Sequence, residues 1–291
     1  MRSVILSFII AFIVPSGVIL KAQSYSGSTW TSTRSNGSGV IKFAYVETPR
    51  FVYKDGQGKL TGISVDVMHD FVDWLQRTKN VVITVSYVGD GSSFKTMYES
   101  VKSSQGGVFG LGNITITDER KREVKFSPPF ITNFAILVSH DHFPVLSQLE
   151  QMPSLFKGAH AYTAKGTINE GRMLLLKKNF FSTMDLQYTT SSQETMEKIV
   201  SDPQGFGYLD LAFYLEAVQL KKNVRRHPVG DKAAEQFGFV MPMKSDWAPL
   251  LEEFFAAEGG YLASSRYRSI LQKHLGEAGM KLLKTSSLTN R

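Results

Sequence analysis

An α/β clamshell of two lobes is the fold this sequence predicts, and three observations predict it. Strand-like and helix-like segments alternate from residue 40 onward, the alternation runs twice, and the final helices follow a strand that returns toward the first run. At 291 residues and 32.5 kDa the chain can form two cores, and 42% hydrophobic with 20% charged residues is ordinary for a globular protein. The absence of cysteine excludes disulfides, thiolate metal sites, a cysteine nucleophile and lipid attachment through an N-terminal cysteine.

Taken in order, Met1 to Ala22 has a basic start at Arg2 and an apolar run from Val4 to Leu20, broken by Pro15, Ser16 and Gly17. That is the layout of a secretory signal peptide cleaved after Ala22; the competing reading is an uncleaved membrane anchor, for which the run is slightly short and interrupted against the roughly 20 residues of a spanning helix. Arg2 and Lys21 leave with it, which lowers the formal charge of +7 by two. The remaining surplus reads as a solvated surface, and no basic run with interleaved aromatics points to nucleic acid. Gln23 to Gly39 is rich in Ser, Thr and Gly and most of it reads as a flexible lead-in, with Trp30 as the exception, a candidate to dock on the body.

The first lobe is expected over 40–137 and 241–285. Val40–Val46 is a buried strand, a hairpin-like pair turns at Lys54–Gly58, and Val65, Val67, Met68, Phe71, Val72 and Leu75 recur at helical spacing. Strands at Val81–Val88 and Val108–Ile116 flank a short helix at Phe94–Val101. Thr117, three residues before Arg120, reads as an N-cap opening a helical turn, which presents free N–H groups beside an arginine fork and makes a seat for a carboxylate. The second lobe is expected over 138–240, with crossings near 136–142 and 237–242, the last helix ending at Leu275 and a tail at 286–291.

From Thr115-Ile116-Thr117-Asp118-Glu119-Arg120 through Val124-Lys125-Phe126-Ser127-Pro128-Pro129-Phe130, the chain resembles the bacterial extracellular solute-binding proteins of family 3. Leu60–Val67 resembles the family's segment opening the first helix, Lys165-Gly166-Thr167 its second-lobe anion turn, and Tyr208-Leu209-Asp210 its second-lobe acidic position, so the likeness covers Val40 to Gly276. The resemblance implies a periplasmic-binding-protein-like clamshell in which each lobe is a mixed sheet flanked by helices and two crossings join the lobes. It implies a periplasmic, monomeric receptor that closes on a small amino acid or related carboxylate and delivers it to the membrane subunits of an ABC importer, with no cofactor, metal or catalysis. Alternatives on the same fold are an enzyme like cyclohexadienyl dehydratase and a ligand-sensing receptor lobe.

Carried over residue by residue, the resemblance puts Arg120 on the ligand carboxylate, helped by Thr115 and by the turn at Gly166, Thr167 and Ile168. Asp210 would hold the ammonium with the backbone carbonyl of Asn113, although it also stands where it could cap the next helix. Phe94 is the nearest match to an aromatic platform, or else a core residue. Tyr45 and Glu47 are candidate pocket liners. Thr48 stands where many members carry an aromatic residue, and Pro49-Arg50-Phe51 where they carry Pro-Phe. Elsewhere, His140-Asp141-His142 reads as a solvated loop lacking a third metal ligand, and no hydrolase, zinc-protease or phosphate-loop motif is found.

Overall fold

The computed structural model describes residues 23–289, and the expected signal peptide lies outside them. The stretch that composition reads as a flexible lead-in contains a helix, α1 (Trp30–Asn36), docked on the body. The Asp246 carboxylate accepts from the N–H groups of Trp30 and Thr31 at 2.9 and 3.0 Å. The Trp30 ring meets Trp247 edge-on at 5.4 Å, and Trp247 Nε1 donates to the Ser28 carbonyl at 2.9 Å. One tryptophan and one remote carboxylate outweigh the weak propensity of the Ser/Thr tract.

The first lobe continues with β1 (Ser38–Val46), a hairpin of β2 (Tyr53–Lys54) and β3 (Leu60–Thr61), then α2 (Ile63–Lys79), β4 (Val82–Gly91), α3 (Phe94–Lys102) and β5 (Val108–Leu111). A one-turn α4 (Asp118–Lys121) and β6 (Val124–Phe126) complete it. Val67, Met68, Phe71 and Leu75 of α2 are fully buried, as the 3.6-residue period requires. Strand β1 pairs in parallel with β4 on one side and β5 on the other. The chain order therefore reverses between β1 and β5. Open α/β sheets form their ligand crevice at such a point, outside the carboxyl ends of the strands. Residues 46–50 and 112–120 leave from those two ends.

The second lobe holds β7 (Ile131–His140), α5 (Met152–Leu155), β8 (His160–Ala164), α6 (Ile168–Asn179), β9 (Asp185–Thr189), α7 (Ser192–Ser201), β10 (Gly205–Asp210), α8 (Leu211–Gln219), β11 (Val224–Arg226) and β12 (Lys232–Phe237). Here β8 pairs in parallel with β9 and β10, so the same reversal falls between β8 and β10. Lys165-Gly166-Thr167 follows β8, and Asp210 ends β10. Two switch points thus supply the facing walls of one cleft.

The chain then returns through β13 (Val240–Pro242), which sits between β5 and β6, and ends in α9 (Ala248–Ala256) and α10 (Ser265–Thr289). The first crossing lies earlier than expected. Strand β7 bonds along its length to β10, β11 and β12, all of the second sheet, so the chain crosses at 127–130 and not at 136–142. An unbroken apolar run does not reveal which sheet its hydrogen bonds join. The return crossing, Gly238-Phe239, runs beside the first: Ser127 N–H donates to the Phe239 carbonyl at 2.9 Å, and the Phe130 and Phe239 rings stack at 4.5 Å. Helix α10 also passes the expected stop at Leu275, bending at Gly276 (φ +66°) and continuing to Thr289 across part of the predicted tail.

Candidate functional site

The facing switch points enclose a cleft of about 1250 Å³ lined from both lobes. On the first-lobe wall, Thr117 caps α4 by accepting from the Arg120 N–H at 3.2 Å, so the predicted helical turn is present. The Arg120 guanidinium donates from Nη1 to the Thr115 carbonyl at 3.0 Å and lies over the Phe94 ring at 4.8 Å, with Tyr98 at 5.9 Å. Phe94 therefore faces the cleft and supports Arg120. Glu123, which could have neutralised this arginine, is instead bound by Lys102 at 2.9 Å and by the Tyr98 hydroxyl at 3.1 Å. Among the described residues no ion pair is formed by Arg120. Burial draws its pKa down from the usual arginine value, against the pull of Tyr98 and Glu235. A cation partly stripped of water and left without a counter-ion attracts a carboxylate.

On the second-lobe wall Asp210 stands at the N-cap position of α8, but its carboxylate caps nothing. Three amides hold it. Asn113 Nδ2 of the first lobe donates to Oδ2 at 2.8 Å, while Asn133 and Asn169 donate to Oδ1 at 3.2 and 3.3 Å. Beside them Glu235 pairs with Arg172, and Asn133 Nδ2 also reaches Glu235 at 3.4 Å. Burial first, and then the Glu235 charge, push the Asp210 carboxyl up to about 6, against Arg172 and the amide hydrogen bonds.

The other predicted liners divide. Thr115 contributes its carbonyl to Arg120. Thr48 is buried and donates to Asn113 Oδ1 at 3.2 Å. Glu47 lines the rim, paired with Lys54 at 2.8 Å. Thr167 and Ile168 line the second-lobe wall, but the Thr167 hydroxyl donates to the Ala164 carbonyl at 2.7 Å and caps α6. The Gly166 N–H donates to Glu170 at 2.7 Å, so this part of the expected anion turn is already filled. Asn113 meets Asp210 with its side chain, where a backbone carbonyl had been expected to share the ligand's ammonium. Tyr45 is not a liner: it is 8% exposed and packs against Tyr87 at 6.2 Å. Strand alternation turns it inward with Phe43, two residues before.

A family model for bacterial extracellular solute-binding proteins, family 3, matches residues 41–277. This chain belongs to that family. Among solved structures, the family 3 chain resembles an ancestral arginine-binding protein bound to arginine (20% identity, TM-score 0.62, covering 81% of this chain and 98% of that one). It also resembles an ABC uptake transporter substrate-binding protein from Streptococcus pneumoniae with bound histidine (16%, TM-score 0.65, 85% and 96%). A third is the ancestral amino acid-binding protein AncCDT-1, a precursor of cyclohexadienyl dehydratase (18%, TM-score 0.59, 84% and 98%). At these identities the likeness establishes the two-lobe fold.

Sequence reasoning missed four groups of this family 3 protein: Asn169, Arg172 and Glu235, which line the cleft, and Asn133, buried behind Asp210. One signal was available. Asn133 interrupts the apolar run of β7, where a buried amide needs partners. The other three carry no local signature, because their roles depend on α6 and β12 approaching the end of β10.

Proposed function

We propose that this solute-binding protein is an exported receptor that closes its lobes on a small amino acid or related carboxylate and delivers it to the membrane subunits of an ABC importer. The observation that carries the reading is the unpaired, half-desolvated guanidinium of Arg120 at a topological switch point, with Asp210 on the opposite wall of the same cleft. Interactions supplied from opposite lobes make closure depend on ligand. The leader read at Met1–Ala22 supports export. A thermal-shift screen of the amino acids and small carboxylates identifies the ligand, because a molecule that binds only the folded state raises the melting point. Arg120→Ala is expected to weaken the hit by about 100-fold or more in calorimetry, the loss of two charge-assisted hydrogen bonds. Unchanged affinity would sink the reading.

A second reading is enzymatic, and one feature favours it. Asp210 and Glu235 share the Asn133 amide, and a carboxyl at about 6 is poised to exchange protons near neutrality. Turnover of a cyclohexadienyl carboxylate by the purified protein, lost in Asp210→Asn, would establish it in place of the receptor.

A further inference from the structure

The amides around Asp210 are held in one orientation each. Asn113 Oδ1 accepts from the Thr48 hydroxyl at 3.2 Å, Asn133 Oδ1 from the Leu211 N–H at 3.3 Å, and Asn169 Oδ1 from Arg172 Nη1 at 2.5 Å. Obligate N–H donors on the Asn133 and Asn169 oxygens turn both nitrogens to the carboxylate, and Asn113 turns its nitrogen the same way because its oxygen would be repelled by the anion, leaving the Thr48 hydroxyl to donate to that oxygen. An ionised carboxylate has about four acceptor positions, so three donors leave little for an ammonium, which brings three of its own. Asn113 reaches across from the first lobe and occupies the Oδ2 side at 2.8 Å. Thr48, which replaces an aromatic residue of the family pattern, orients it.

We propose that Asn113, held by Thr48, takes the place of a ligand ammonium at Asp210, so that the cleft selects carboxylates bearing no charged amine, such as 2-hydroxy acids. This rests on the receptor reading and narrows its ligand class. Arg120 grips the carboxylate, and the self-satisfied second-lobe pole gives a zwitterion no advantage.

Charge balance gives the inference a second signature. The charged groups around Asp210 are Glu235 of β12 and Arg172 of α6, with Arg120 on the opposite wall; the three amides are neutral. A monoanion entering beside Arg120 adds negative charge to a cleft whose Asp210 carboxyl already lies high. Binding therefore raises the Asp210 pKa further and takes up a proton. Affinity for a monoanion then rises as pH falls from 7.5 toward 6, by at most tenfold per unit. A zwitterion held by ionised Asp210 would show the opposite slope.

The test measures calorimetric affinity for each amino acid beside its 2-hydroxy counterpart, alanine with lactate and phenylalanine with phenyllactate among them. The wild-type protein is expected to favour the hydroxy acid by about tenfold or more, and Asn113→Ser to reduce or invert that ratio. Preference of the wild type for the amino acid, with affinity lost in Asp210→Asn, overturns this inference and leaves the receptor reading standing. Failure of every carboxylate to bind, or binding indifferent to Arg120→Ala, overturns the receptor reading and this inference with it. The wild-type comparison needs no variant to fold.

Discussion

Arg120 and Phe94 show how a single contact sets the chemistry of the first-lobe wall. The guanidinium lies 4.8 Å above the ring centroid, which fixes its plane while leaving most of its donors free. A cation over an aromatic face gains about 0.5 to 2 kcal/mol, depending on desolvation. Phe94→Ala should therefore weaken carboxylate binding by about 2- to 30-fold in calorimetry. The ring is only half-buried, so the melting temperature should hardly move. Equal affinity in the variant would show that the ring does not position Arg120. The arginine was legible in the sequence because its cue is local: a threonine three residues earlier caps the turn that carries it. Tyr45 was misjudged because a strand presents two faces, and the loop motif beside it does not say which one the cleft uses.

At the scale of elements, α2 and α10 are joined by a small ionic cluster. His274 Nε2–H and Lys273 Nζ both donate to Asp66 at 2.8 Å, and the Tyr53 hydroxyl meets His274 Nδ1 at 3.0 Å. Burial would push the Asp66 carboxyl up, but the His274 and Lys273 hydrogen bonds outweigh it and hold the pKa at about 2, below its ordinary 3.8. A depressed folded-state pKa contributes stability that is complete above the unfolded value and lost as pH falls through the folded one. Asp66→Asn should thus cost about 2 kcal/mol in urea denaturation at pH 7, with the gap to wild type closing between pH 4 and pH 2. A gap independent of pH would mean that packing, not charge, joins the helices. The periodicity of α2 was plain in sequence, and so were its buried residues. Trp30 stood out in its Ser/Thr tract as a docking residue, but the helix around it did not, because its anchors, Asp246 and Trp247, lie about 216 residues away.

Across the whole molecule, Arg50 ties the lobes together. Its guanidinium donates to the His274 carbonyl at 2.7 Å and, in the second lobe, to the Leu215 carbonyl at 3.2 Å and Gln219 Oε1 at 2.6 Å. The residue adopts a left-handed φ of +67°, and its Nε is buried without a hydrogen-bond partner. Both features cost stability, roughly 1 to 3 kcal/mol for the unmet donor alone. Arg50→Gly suits the backbone and removes the orphan donor, so folding stability should hold while the lobes lose their tie. Small-angle scattering should show a larger radius of gyration in the variant, with ligand affinity reduced about tenfold. An unchanged radius and affinity would refute the tie. Only the contact with α8 explains what the arginine does in this loop.

By itself the sequence determined the alternation of strands and helices, the two lobes, the capped turn that carries Arg120 and the placement of Asp210 at a strand end. The elements follow from spacing within a dozen residues, and the lobes from that alternation running twice along the chain. The tertiary structure decided which charges stay unpaired. Among the described residues it gave Glu123 to Lys102, left Arg120 without a counter-ion, and wrapped Asp210 in three amides. The capped turn alone reads as one end of a zwitterion clamp. Closure of that clamp by a ligand or by Asn113 turns on a 2.8 Å contact between residues 97 apart, and such a contact exists only once two sheets have brought their switch points face to face.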